Sequence, residues 1–199
     1  MPSLRQQQDP RLCSQHLRVL DDGYRACLSG AEPQEKRLTS EFVGCQTSMM
    51  NKQPAGLLLE LECALDAGCE RIFSMLTEPV ELAKWWGPYG FTTPGVEVDL
   101  RVGGGYRFSM KPPDGDLFHL SGDFVEIKRP SRLIYTFRWE EPTPDDRETV
   151  VTLSLDALGD TARVSLSHGL FATEERLALH LSGWKDSLEK LREVVGSGP

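Results

Sequence analysis

The fold is decided by the stretch Thr173-Glu-Glu-Arg-Leu-Ala-Leu-His-Leu-Ser-Gly-Trp-Lys-Asp-Ser-Leu-Glu-Lys-Leu-Arg-Glu-Val-Val195. Its apolar residues recur at steps of four and three, which is the spacing of one face of an α-helix. Thr173 is suited to cap the first turn, and Gly196 can end the helix. A helix of roughly 22 residues is about 33 Å long, so it needs an equally long apolar surface to lie on. The apolar face consists of Leu177, Leu181, Trp184, Leu188, Leu191 and Val195.

The residues before this helix predict one strand, two short helices and then a run of strands. From Leu57 to Leu65 an apolar run passes into alternating apolar and acidic residues, as in a half-buried strand. A helix that opens at Asp66 or Gly68 follows, and Thr77 is placed to cap a second helix at 78–86. The later strands are predicted at 96–102, 106–110, 117–127, 133–139, 149–155 and 162–167.

This order of elements predicts the fold class. Successive strands joined by short turns build an antiparallel meander, and one face of such a sheet needs a cover. Only the terminal helix is long enough to supply it. We therefore expect an α+β fold, in which a curved antiparallel sheet of about seven strands wraps around a long C-terminal helix, with two short helices after the first strand.

The predicted domain spans residues 56–199. Residues 1–55 are interpreted as a mobile or poorly structured N-terminal extension, because apolar residues are sparse there and turn-forming residues are frequent. A partner-binding arm is the alternative interpretation of this extension.

Composition and charge limit the functional classes. The chain has 199 residues, of which 39% are hydrophobic and 26% charged, as is ordinary for a globular protein. A net charge of -8 argues against nucleic acid and anionic membranes as partners. No stretch approaches the roughly 18 apolar residues of a membrane span, and the N-terminus lacks a secretory signal pattern, so we expect a cytoplasmic protein. The five cysteines lack the spacing of a metal site and are expected to be reduced thiols.

Six segments occur in the order and at the spacing of a known family. They are Trp85-Trp86-Gly-Pro88, Val98-Asp-Leu-Arg-Val-Gly-Gly-Gly-Tyr106, Gly122-Asp-Phe-Val-Glu-Ile127, Arg132-Leu-Ile-Tyr-Thr-Phe-Arg-Trp139, Thr161-Ala-Arg-Val-Ser-Leu-Ser-His168 and Gly183-Trp-Lys-Asp-Ser-Leu-Glu-Lys-Leu191. In this combination the chain resembles the SRPBCC or START-like (Bet v 1-like) superfamily, which has the helix-grip fold. Within it, the chain resembles the family named after the activator of heat-shock protein 90 ATPase. The resemblance implies a deep, mostly apolar cavity between the sheet and the long helix.

Strand parity indicates which side chains face that cavity. If Leu133 faces the helix, every second residue of the same strand does so too, and neighbouring strands follow the same rule. Trp85 and Trp86 are about 100° apart on a helix, so one is expected in the core and the other at the cavity mouth. The helical spacing does not decide which of the two tryptophans lies in the core. The candidate ligand-binding residues are Trp85, Trp86, Tyr106, Phe108, Met110, Tyr135, Phe137, Trp139, His168 and Trp184.

Some of these candidates have an equally plain structural interpretation. Phe108 and Phe137 fit an ordinary core, and His168 fits a histidine whose hydrogen bonds are satisfied within the protein. His119 shares parity with Ser121 and Asp123 and is expected on the solvent side. His180 flanks the apolar stripe of the long helix.

The function expected from these features is binding of a small hydrophobic ligand, as a carrier or sensor. No nucleophile motif, carboxylate pair or nucleotide-binding loop is recognisable, so we predict no catalytic residue and no cofactor, while an enzyme using the same cavity stays an alternative. The resemblance also implies the alternative of a co-chaperone that stimulates a heat-shock protein 90 ATPase. The full co-chaperone carries a larger preceding domain, for which residues 1–55 are too short and too polar.

Overall fold

The structure is a computed structural model that describes residues 57–197. The predictions for residues 1–55 lie outside the described residues. The first strand, β1, spans Leu57–Leu65 as predicted, and two short helices follow, α1 (Cys69–Thr77) and α2 (Pro79–Trp85). None of the helices within 57–197 is both long and apolar enough to cross a membrane.

Six further strands and one long helix complete the described fold. The helix α3 spans Glu174–Gly196, and Thr173 caps it by accepting a hydrogen bond from the backbone N–H of Arg176. The predicted cap at Thr173 is confirmed; at the other end Gly196 is the last helical residue, and the C-cap is Ser197. The strands are β2 (Thr92–Val98), β3 (Gly105–Lys111), β4 (Phe118–Lys128), β5 (Arg132–Trp139), β6 (Thr149–Leu158) and β7 (Thr161–Phe171).

The strands form one antiparallel sheet in the order β1-β7-β6-β5-β4-β3-β2. Only β1 is out of sequence order, because it pairs with the last strand, β7. One face of the sheet carries the buried residues and packs against the helices, as the alternating burial along β3, β5 and β7 shows. The predicted α+β helix-grip architecture is confirmed.

Two local predictions were wrong. Thr77 does not cap α2, because it is the last residue of α1 and its hydroxyl donates to the carbonyl of Phe73 at 2.8 Å; Glu78 precedes α2 instead. The strand predicted at 96–102 lies earlier, at Thr92–Val98. Residues 99–104 are used for a compact turn, in which Gly103 has a φ of +76°, a conformation that glycine adopts without strain.

Candidate functional site

A cavity of about 90 Å³ lies between one end of the sheet and the N-terminal half of α3. Its third wall is the segment that follows α2, residues 86–91, which we call the rim loop. The partly exposed residues Pro88 and Phe91 of this loop and Leu179 and Gly183 of α3 form its mouth. The remaining lining residues are Trp86, Gly87, Met110, Phe118, Leu120, Phe137, Trp139, Arg176, His180, Trp184 and Ser187.

The structure decides between the two adjacent tryptophans. Trp85 is fully buried, and its indole N–H donates to the carbonyl of Met75 at 2.9 Å, so it belongs to the core between α1 and α2. Trp86 turns to the cavity, where its ring lies 5.1 Å from that of Trp184 at nearly a right angle. The helix α2 ends at Trp85, one residue before the predicted end, because Trp86 is extended; the next residue, Gly87, has a φ of +89° and turns the chain away from the helix.

Five of the ten predicted site residues line the cavity. They come from separate elements, and the strand residues among them lie at one end of β3 and β5. Their rings pack edge to face or tilted, for example Phe137 and Trp139 with centroids 5.1 Å apart. These residues are Trp86, Met110, Phe137, Trp139 and Trp184.

Three other candidates face the helix side of the sheet but are not brought to the cavity. Tyr106 and Tyr135 pack against each other with ring centroids 5.3 Å apart, next to Phe124. The hydroxyl of Tyr106 donates to the carbonyl of Thr136 at 2.8 Å, and burial raises the pKa of both tyrosines far above the usual value. Phe108 fills the space between Tyr106 and Trp86. All three form solid core beside the cavity.

His168 is also placed in the core, with both ring nitrogens engaged. The indole N–H of Trp184 donates to Nδ1 at 2.9 Å, so the proton of the neutral ring is on Nε2, which lies 2.7 Å from the hydroxyl of Thr149. The hydroxyl of Thr149 in turn donates a hydrogen bond to the carbonyl of Phe137 at 3.3 Å. Burial lowers the pKa of His168 well below its ordinary value, which keeps it neutral. The network ties α3 to β7, β6 and β5.

A second histidine, His180, lies directly on the cavity wall. Its imidazole is packed among the rings of Phe137, Trp139 and Phe171, with centroids 5.3, 5.8 and 4.7 Å away. Burial, reinforced by the nearby charge of Arg176, lowers the pKa of His180 to about 3, so the ring is neutral at physiological pH. Within residues 57–197, neither ring nitrogen makes a hydrogen bond to protein.

Arg176 lies one helical turn before His180 and is the other ionisable residue of the cavity wall. Its Nε is 3.3 Å from Oδ1 of the nearly buried Asp146, and its guanidinium also donates to the hydroxyl of Thr143. Asp146 in turn accepts two hydrogen bonds of 2.8 Å from Thr143. The positive charge at this end of the cavity is thus compensated within the protein.

The rim loop is held to the C-terminal half of α3. Lys190 donates to the carbonyl of Gly87 at 3.1 Å, and the hydroxyl of Tyr89 donates to a carboxylate oxygen of Glu193 at 2.9 Å. The backbone N–H of Tyr89 also donates to Asp186 at 3.3 Å. These bonds fix the distance between the two sides of the mouth.

One group on the opposite face of the sheet has the composition of a metal site. Possible ligand atoms of His119, Glu140 and Glu141 lie within 4.8 Å of one another. However, Arg107 holds both carboxylate oxygens of Glu140 at 2.8 to 3.1 Å, and Nδ1 of His119 lies 3.1 Å from Glu141. These internal pairs account for the cluster, and we assign no metal to it.

The architecture defines the class of protein. A seven-stranded antiparallel sheet that grips a long C-terminal helix, with a cavity between them, is the START-like helix-grip fold. The sequence profile of the family described as "Activator of Hsp90 ATPase homolog 1-like protein" matches residues 66–196, which is more than half of the chain. The chain belongs to this family, so the resemblance inferred from the six segments is confirmed. No curated protein matches the chain.

Solved structures of bacterial proteins are similar to this one. A Chromobacterium violaceum protein is 29% identical with a TM-score of 0.61, covering 69% of this chain and 96% of its own. A Silicibacter pomeroyi protein titled AHSA1 is 28% identical with a TM-score of 0.63, covering 71% and 99%. A Nitrosomonas europaea protein, at 24% identity, 75% and 100% coverage and a TM-score of 0.64, supports the fold alone.

Proposed function

We propose that the protein binds a small hydrophobic ligand in the cavity between its sheet and α3, as a carrier or sensor. The observation that supports this most is the cavity wall itself, where aromatic and aliphatic side chains predominate and few polar groups interrupt them. Small-molecule sites have this composition, with an apolar lining and a small number of placed polar groups.

The size of the cavity limits the ligand. An apolar cavity of about 150 Å³ can hold benzene, and the cavity here measures about 90 Å³. One aromatic ring fits if it extends partly into the mouth beside Pro88 and Gly183. Larger ligands require the rim loop to move away from α3, against the hydrogen bonds of Tyr89 and Lys190.

The two alternatives raised by the sequence stay hypotheses. A co-chaperone role has the family description as its support, and it would use the outer surface rather than the cavity. An enzymatic role would use the cavity, whose ionisable residues are Arg176 and His180 among the described part of the chain. Their titratable neighbours, Asp146 and His168, do not line the cavity, so ligand binding is the function the geometry supports best.

The proposal is tested by a substitution on α3 whose larger side chain fills the mouth of the cavity. A side chain at Gly183 would project beside Pro88, whose Cγ lies 3.7 Å from an added Cβ, so Gly183→Leu should occupy the mouth without clashing with the backbone. Toluene titrated into the full chain and followed through tryptophan fluorescence should bind saturably to the wild type. Binding should be lost, or weakened about tenfold or more, in Gly183→Leu.

Lys185→Leu is the matched control, because Lys185 is exposed on the same helix. It should leave toluene binding unchanged. If toluene fails to bind the wild type, or binds Gly183→Leu as well as the wild type while that variant keeps its helical circular dichroism, the proposed cavity site is wrong.

A further inference from the structure

His180 is an unusual residue for an apolar wall, because its polar atoms have no protein partner. Its ring is surrounded by Phe137, Trp139 and Phe171, and neither nitrogen bonds to a described residue. His180 is partly exposed and lines the cavity, so water or a ligand in this space can supply the hydrogen bonds that the protein does not. An aromatic or aliphatic side chain at position 180 would pack against these rings without placing unpaired polar atoms beside them.

The contrast with His168 sharpens this point. The two imidazoles lie only 5.1 Å apart, and both are neutral. His168 is satisfied on both nitrogens, by Trp184 and Thr149, whereas His180 borders the cavity and has its hydrogen-bonding capacity free. The cavity is therefore where a partner for His180 can come from.

The charges around His180 indicate what kind of partner fits. Arg176 is the nearest cation; Asp146 compensates its charge, and Thr143 accepts a hydrogen bond from its guanidinium. A ligand carboxylate at this end would approach the nearly buried carboxylate of Asp146, which disfavours it. His180 itself, as a neutral imidazole, offers one donor and one acceptor, to which a hydroxyl group is complementary in either direction.

Building on the proposed function, we infer that His180 is the specificity-determining residue of the cavity and that it hydrogen-bonds the hydroxyl group of a small, uncharged aromatic ligand of the phenol class. The ligand ring would lie among the aromatic side chains of the wall, with Trp139 and Phe137 on the sheet side. Its hydroxyl would point to α3. An aromatic ligand without the hydroxyl would enter the same cavity but leave His180 without a partner.

The test uses phenol and toluene, two probes of nearly the same size that differ in the hydroxyl group. Their dissociation constants are measured at pH 7 by calorimetry on the full chain, for the wild type, His180→Phe and His180→Leu. In both variants phenol should bind about tenfold more weakly than to the wild type or worse, because its hydroxyl loses its partner. Toluene binding should change by less than about threefold, within the scatter of conservative apolar changes.

His119→Phe provides the control, because it makes the same substitution on the opposite face of the sheet. It should leave both constants unchanged. His180→Leu decides the question if the larger ring of His180→Phe prevents folding.

The possible outcomes separate this inference from the proposed function. If phenol and toluene weaken equally in the His180 variants, the role of His180 is overturned while the cavity site stands. If benzoate binds the wild type more tightly than phenol, the assignment to an uncharged ligand is overturned. If neither phenol nor toluene binds the wild type, the proposed function fails and the inference fails with it.

Discussion

The two halves of α3 meet the sheet in different ways. In the C-terminal half, Leu188 and Leu191 are buried in the same core as Leu59 and Leu61 of β1, and neither lines the cavity described above. In the N-terminal half, the side chains of Arg176, His180 and their neighbours surround an open space. We call these the closed half and the open half of the helix.

The difference shows that the apolar stripe of the helix does not create the cavity. The stripe runs through both halves with the same spacing, and Leu177 is as deeply buried as Leu188. The residues that distinguish the open half flank the stripe: Gly183 leaves room opposite Pro88, and His180 introduces polar atoms that the wall does not satisfy. A binding site can thus be built beside a continuous core without interrupting it.

The largest expected effect compares one leucine from each half. Leu191→Ala should lower the free energy of unfolding by about 2 to 5 kcal/mol, because the side chain is fully buried and leaves a void. Leu179→Ala should cost less than about 1 kcal/mol, because Leu179 already borders empty space and is partly exposed. Urea denaturation measures both values. Equal losses would mean that the two halves do not differ in packing.

A smaller effect is expected at the boundary between the halves, where Trp184 bonds to His168. Trp184→Phe keeps an aromatic ring but removes the indole N–H, so Nδ1 of His168 is left without its donor. We expect a loss of about 1 to 3 kcal/mol in the free energy of unfolding. Trp139→Phe is the control, since no hydrogen bond of the Trp139 side chain is found within residues 57–197. A loss no larger than that of the control would contradict the role of the network.

The next prediction concerns the pH dependence of stability, because the pKa of His180 is lowered in the folded protein and has its usual value in the unfolded one. With the pKa lowered from 6.5 to about 3, the unfolded state binds more protons between these values. The contribution of neutral His180 to the free energy of unfolding is therefore complete above pH 6.5 and is lost as the pH falls below this value. His180 contributes up to about 1.4 kcal/mol per pH unit in this window.

The measurement is the free energy of unfolding from urea titrations at pH 7, 5.5 and 4.5. In His180→Phe the decline between pH 5.5 and 4.5 should be shallower than in the wild type by about 1 kcal/mol. Val125→Ala is the control, because Val125 is exposed and carries no ionisable group, and it should retain the wild-type slope. Identical slopes for the wild type and His180→Phe would show that His180 is not held neutral by the fold.

Much of the fold could be predicted from the sequence, because it depends on periodicity. The spacing of Leu177 to Val195 fixed the helix, and strand parity correctly placed Tyr106, Phe108, Tyr135 and Phe137 on the buried face. The strand after the rim loop was misplaced, because the alternation of 96–102 continues past Val98 into the turn that Gly103 closes.

The cavity was predicted only in part, because parity gives the face of a strand but not the position along it. Met110 and Tyr106 share one face of β3, yet only Met110 lies at the end that opens to the cavity. The same holds for Trp139 and Tyr135 on β5. The register of neighbouring strands identifies the end of the sheet that opens to the cavity. Met110 pairs with Phe118, and Trp139 pairs with Leu120, so these four lining residues lie together across β3, β4 and β5.

His180 could not be recognised in advance. Its helical position places it beside the apolar stripe, where a histidine is ordinary. That it lacks a hydrogen-bond partner follows only from the three-dimensional arrangement of β5, β7 and α3 around it. Pro88 and Phe91 of the rim loop were missed for a related reason, since loop residues have no periodicity from which their direction can be inferred.

The most direct test of the account is to locate a bound probe within the protein by NMR. Intermolecular nuclear Overhauser effects are measured between toluene protons and the methyl groups of the full chain. The account predicts contacts to Leu179 in the open half of α3 and to Leu120 and Met110 on the strands opposite it, and none to Leu188 or Leu191 in the closed half. Contacts confined to the outer face of the sheet, or equal contacts to both halves, would contradict it.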